Sequence, residues 1–188
     1  MIKNLTSPLF SLIANAVFGA YHILFAVLTR SQWLFIIGIY YAILSTVRFV
    51  ILQTKKTDGF VTGFAGAMLI LLSLPLAGTV VLAVVRDRGI VMHEIVMITM
   101  AAYAFTKITL SVVHLVKSRK SASAKLTALR NISFADACVS IFALQRSMLV
   151  SFGDMTESDI RIFNAAVGSA VCVTVFLLGL HLIRNLQN

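Results

Sequence analysis

Six stretches of roughly twenty apolar residues recur along this sequence, each the length that a helix needs to cross a hydrocarbon core. They run Leu9–Leu28, Leu34–Leu52, Phe60–Val85, Ile95–Val116, Ile132–Phe152 and Ile162–Ile183. Backbone groups in lipid must be satisfied internally, so segments of this length fold as helices or not at all. The composition agrees. The chain is 59% hydrophobic and 12% charged, where soluble domains average about 45–50% and about 25%. The expected fold is therefore all-α: a polytopic membrane helical bundle of six transmembrane helices, forming a single integral-membrane domain over residues 1–188.

The basic residues give the orientation. With both termini cytoplasmic, the inner side carries nine, namely Lys3, Lys55, Lys56, Lys117, Arg119, Lys120, Lys125, Arg130 and Arg184, and the outer side carries four, Arg30, Arg86, Arg88 and Arg161. This asymmetry predicts both termini inside. The acidic outer loop Gly153–Asp159 and Trp33 at the outer mouth of the second span fit the same arrangement. The first apolar run is too long for a cleavable leader and reads as a signal anchor. The net charge of +9 is thus a matter of topology, and no nucleic-acid partner is expected. The expected surroundings are the lipid bilayer of a bacterial cell membrane. The segment Lys117–Asn131 (KSRKSASAKLTALRN) reads as a basic inner loop able to form a short surface helix against anionic headgroups.

Charged groups inside the spans carry the functional signal, because each costs about 2.5–3.5 kcal/mol even on lenient insertion scales. Lys107 lies near the middle of its span, in a stripe of Tyr103, Lys107, Ser111 and His114 that shares one helix face. Tyr41, Ser45 and Arg48 share a face of the second span, and Asp136, Ser140, Ala143 and Ser147 share one of the fifth. At 1.5 Å per residue, Arg48 and Asp136 both lie roughly 6 Å from the inner ends of their spans, and Lys107 roughly 13 Å from its own. Level charges of opposite sign pair, so Arg48 and Asp136 are expected to meet. Arg146 is expected to snorkel toward its nearer interface, and the same is the alternative to pairing for Arg48. Lys107, with Tyr103 and His22, is then left to present donors to a small polar or anionic ligand. The candidate ligand-binding set is Lys107, Arg48, Asp136, Tyr103 and His22. The opposing expectation is that Lys107 binds Asp136 as assembly glue.

Other chemistry is poorly represented. His93 and Glu94 are adjacent and diverge on a helix, no HExxH follows, and no P-loop, GxSxG or GxGxxG occurs. Cys138 and Cys172 lie apart within apolar spans, so neither a disulfide nor a metal site is expected. No catalytic residue, cofactor or metal is assigned, and the chain is not expected to be an enzyme. Pro75 within the third span predicts a kink or a packed break. Small residues, including Ala16 and Ala20 in the first span, permit close helix approach. In size, span number and this Ala16-xxx-Ala20 pair the chain is similar to the substrate-binding membrane subunits of multicomponent vitamin transporters. The likeness is architectural and carries no residue roles. Three functions are weighed: a small transporter or its substrate-binding subunit, a non-catalytic accessory or scaffold protein, and, ranked last because no nucleophile–base or metal set stands at plausible spacing, an intramembrane enzyme. Partners would be other membrane subunits or further copies of the chain.

Overall fold

The computed structural model describes residues 6–30, 32–55, 57–85, 94–117, 123–152 and 155–184, apart from the side chains of 6–11, 14, 29, 33, 96, 99, 100, 103, 114, 115, 117 and 152. The described residues form six helices and no strand: α1 Thr6–Thr29, α2 Gln32–Gln53, α3 Asp58–Val85, α4 Glu94–Lys117, α5 Ala124–Phe152 and α6 Glu157–Arg184. Four of them, α2, α3, α5 and α6, carry described stretches long and apolar enough to cross a membrane. In α1 and α4 the corresponding apolar stretches are shorter, Asn15–Leu28 and Ala104–Val113.

The helices pair before they bundle. α1 packs on α2, α3 on α6 and α4 on α5, and α5 also touches α2, α3 and α6. The most polar span is thus the central one. Ala135, Asp136, Ala137, Val139 and Phe142 of α5 are fully buried. Large apolar side chains instead cover the outside: Val17, Leu24 and Leu28 on α1, Leu74 on α3, Ile98 and Phe105 on α4, and Ile162 on α6 are all exposed. An apolar exterior around a polar centre is the arrangement that lipid permits and water penalises.

Close approach within the pairs is set by glycine. A Cβ placed on Gly66 would stand 2.8 Å from the carbonyl oxygen of Gly179, and one on Gly179 would stand 2.9 Å from that of Gly66. The α3 and α6 backbones therefore meet directly. On the other pair, Gly38 of α2 abuts Ile23 and Gly19 of α1. Ala16 and Ala20 lie on the exposed side of α1, so the small-residue contact inside the molecule belongs to Gly19.

One expectation about the elements is corrected and a second is narrowed. The segment Lys117–Asn131 is not wholly a loop, because α5 begins at Ala124 and continues unbroken into the span. Alanine, leucine and lysine favour helix there, and Ala128, Leu129 and Ile132 share one buried face. Lys125 ties this turn to the C-terminal end of α2 by donating to the Thr54 carbonyl. Of the kink or packed break expected at Pro75, the break does not occur: α3 is helical throughout Asp58–Val85. The proline deprives the Leu71 carbonyl of its donor, but the neighbouring carbonyls keep partners. Ser73 Oγ donates to Ile70 O at 2.6 Å, and Cys172 Sγ donates to Ser73 O at 3.4 Å.

Helix ends follow their sequences. Arg30, at φ 51°, adopts the left-handed conformation that stops α1. Thr156 caps α6, accepting from the Asp159 amide at 3.3 Å and donating to its carboxylate at 2.7 Å.

Candidate functional site

The bundle closes around the carboxylate of Asp136. It sits at 0% exposure, and each of its oxygens takes a cation. Lys107 Nζ of α4 lies 2.6 Å from Oδ1, and Arg48 Nη2 of α2 lies 3.0 Å from Oδ2. Asn15 Nδ2 of α1 also donates to Oδ2, at 2.9 Å. One side chain of α5 therefore fastens three other helices.

Local helix geometry brings these groups level. Side chains lean toward the N-terminus of their helix. In α2 that direction lifts the Arg48 side chain from near the C-terminal end toward mid-bundle, where Asp136 stands twelve residues into α5. Ser140, one turn beyond Asp136, completes the network. It donates to the Asp136 carbonyl at 2.9 Å and accepts from Lys107 Nζ at 3.1 Å. Its proton being so committed, the 3.1 Å contact with Tyr41 Oη is one in which the tyrosine donates. Lys107 Nζ also lies 5.2 Å from the centre of the Tyr41 ring, within cation–π range. A second tie holds α4 against α5 one turn on, where Ser111 Oγ donates to the Ser133 carbonyl at 3.1 Å.

The candidate residues thus divide. Lys107, Arg48 and Asp136 come together. His22 does not reach the carboxylate; its Nδ1 donates to the Phe18 carbonyl at 2.8 Å and its ring packs on Tyr41 at 5.8 Å. It stands one ring removed from Lys107. The Tyr103 side chain lies outside the described residues, as do those of Ser11, Thr29 and His114. The expectation of a Lys107 without an acidic partner is corrected: a carboxylate has two oxygens, and Lys107 uses the one Arg48 leaves. Arg146 is also corrected, since it is buried at 5% exposure rather than snorkelling. Near it, Gln145 Nε2 of α5 donates to Asn164 Oδ1 of α6 at 3.4 Å.

Two contributors go beyond the candidate set. Asn15 shows in the sequence only as one polar member of a first-span stripe, Ser11, Asn15, His22 and Thr29, at steps of four and seven. Tyr40 gave no signal, being adjacent to Tyr41 on a helix already rich in aromatics. Its side chain is 2% exposed and its hydroxyl has no hydrogen-bond partner among the described residues. Asn15 Oδ1 is likewise buried without a donor among the described residues. A buried hydroxyl without a partner costs about 1–3 kcal/mol. Tyr40→Phe is therefore expected to leave the unliganded protein as stable as before or to raise its stability by about 1 kcal/mol, read as the thermal unfolding midpoint in detergent.

An apolar hollow of about 350 Å³ lies among Ala26, Val27, Phe35, Ile36 and Leu82, with Arg30 and Gln32 at its rim. From Ala26 to Asn15 is eleven residues of α1, roughly 16 Å, so it is separate from the Asp136 cluster. Among the described residues no group of three or more His, Cys, Asp or Glu side chains is placed to hold a metal.

Comparison of the chain with protein-family models, with characterised proteins and with solved structures returned no match.

Proposed function

We propose that this membrane protein is a small transporter, or the substrate-binding subunit of one, which holds a small polar or anionic ligand at the Asp136 cluster. In this reading all six helices cross the bilayer with both termini on the cytoplasmic side, an orientation that the nine-to-four division of basic residues supports. One observation carries the proposal: Arg48 and Lys107 share Asp136, the only acid within the six spans. A structural ion pair needs one cation. Arg48 with Asp136 is already neutral, and the pair is almost wholly enclosed, at 1% and 0% exposure. Lys107 adds positive charge that the packing does not need, at a depth where charge is expensive. It is also the accessible member, at 12% exposure, and it stands on α4, which packs chiefly against α5.

The complete enclosure of Asp136 favours the second reading, a scaffold in which the cluster only locks helices together. Lys107→Met separates the two. It keeps the side-chain volume and leaves the neutral Arg48–Asp136 pair behind. If the lysine serves a ligand, the variant is expected to be at least as stable as wild type in detergent. It is also expected to lose the thermal stabilisation that small anions give wild type. A variant that unfolds, from a wild type indifferent to every anion, would establish the scaffold instead.

A further inference from the structure

The apolar hollow beside α1 lies at one level of the bundle. Ala26 and Val27 come from the last turn of α1, Phe35 and Ile36 from the first turns of α2, and Leu82 from the last turn of α3. Each stands no more than four residues from the end of its helix, roughly 6 Å along the axis. Because α2 and α3 are long and apolar enough to span a membrane, the hollow sits where hydrocarbon gives way to headgroups. Val27 and Phe35 are themselves exposed, which leaves it open to the apolar exterior rather than sealed. Its volume of about 350 Å³ falls within the range of small-molecule sites, about 300–1,000 Å³.

Arg30 stands at the rim, exposed and without an ion pair among the described residues. Among those residues no acidic side chain lines the hollow. The Arg30 backbone, at φ 51°, is in the left-handed region. Glycine ends a helix there at no steric cost, whereas a residue with a Cβ is strained. The turn by itself gives no reason for arginine, but a cation at the mouth of an apolar hollow does.

We infer that the hollow seats the upper part of one acyl chain of an anionic phospholipid, whose phosphate takes two hydrogen bonds from the Arg30 guanidinium. The two parts of the occupant follow from the two parts of the site. Apolar walls from three helices, open to lipid rather than to water, select a hydrocarbon chain. The planar guanidinium offers a phosphate two parallel N–H donors. A zwitterionic lipid would bring its own cation beside Arg30, to a rim with no carboxylate to receive it; an anionic lipid brings none. The site goes beyond the transport reading and holds whether or not the Asp136 cluster binds a ligand.

Thermal unfolding of the full detergent-purified chain tests this, titrated with dioctanoyl phosphatidylglycerol, dioctanoyl phosphatidylcholine or inorganic phosphate. Wild type is compared with Arg30→Gly, so that any anion bound at the Asp136 cluster, common to both, cancels. Glycine relieves the left-handed backbone, and without lipid the variant is expected to unfold no lower than wild type. If it cannot be purified, Arg30→Asn replaces it, since asparagine also tolerates that conformation. Phosphatidylglycerol is expected to raise the wild-type midpoint by several degrees and to bind Arg30→Gly about tenfold more weakly. Phosphatidylcholine is expected to bind both weakly and alike. Phe35→Ala, altered at an exposed wall, is expected to fold and to bind phosphatidylglycerol several-fold more weakly than wild type. Equal binding of phosphatidylglycerol by wild type and Arg30→Gly would overturn the headgroup contact, and unchanged binding by Phe35→Ala would overturn the seat of the chain. If phosphatidylcholine matched phosphatidylglycerol, the selection for an anionic lipid would fall. A response to inorganic phosphate as large as that to phosphatidylglycerol, and lost in Arg30→Gly, would make this a site for a free anion with no chain in the hollow.

Discussion

Asp136→Leu is expected to be the most damaging single substitution in this protein, at about 3–5 kcal/mol. The thermal unfolding midpoint in detergent should fall by on the order of 10 °C. The cost comes from what is left behind rather than from what is removed. Arg48 is 1% exposed, so it cannot reach water without opening the bundle. Lys107 would face it with the same charge. The logic is checked by the compensating variant. Asp136→Leu combined with Arg48→Leu and Lys107→Met replaces three charges by apolar groups of similar size. It is expected to recover most of the lost stability, because well-packed apolar residues replace a buried ion cluster at little or no cost. A triple variant as unstable as the single one would show that the hydrogen bonds of Asn15 and Ser140, not charge balance, hold the helices together. Anion binding should be abolished in the triple variant even when its stability is restored.

The elements of this fold are legible in the sequence because lipid makes one rule dominant: a long apolar run is a helix. The boundaries of α2, α3 and α4 fall within two residues of the apolar runs. The start of α5 is not legible in that way. Hydropathy marks where a helix enters lipid, and Ala124–Asn131 is a helical turn pair outside it, held by Ala128 and Leu129 packing and by Lys125 on Thr54. The site was half legible for a similar reason. Helical spacing and depth place Arg48 level with Asp136, and they put Lys107 and Ser111 on one face. What spacing cannot give is rotation of one helix against another, and that decides whether Lys107 reaches the free carboxylate oxygen or a cavity. His22 illustrates the limit. It shares the α1 stripe with Asn15, yet seven residues along the helix is roughly 10 Å, and it meets Tyr41 rather than Asp136.

The α3–α6 contact yields the second large effect, and it isolates backbone approach from every other contribution. Gly66→Ala adds one methyl group, which would stand 2.8 Å from the Gly179 carbonyl oxygen and 3.2 Å from Leu182 Cβ. Backbone cannot rotate away as a side chain can, so the helices must separate along the interface. That separation also withdraws Val80 from Gly168 and loosens the buried row of Leu69, Leu72 and Leu76. The expected loss is about 1–3 kcal/mol, measured as detergent unfolding or as the denaturant midpoint. Gly78 lies on the same helix, and a Cβ there would meet nothing within 4 Å. Gly78→Ala should therefore be neutral or stabilising by up to about 1 kcal/mol, since alanine restricts the unfolded chain more. Gly179→Ala alone should resemble Gly66→Ala, because its Cβ meets the Gly66 carbonyl at 2.9 Å. The double variant should cost less than the sum of the two, because the first methyl has already opened the gap that the second requires. Simple additivity would mean that each glycine acts through its own neighbours and that the two backbones do not bear on each other.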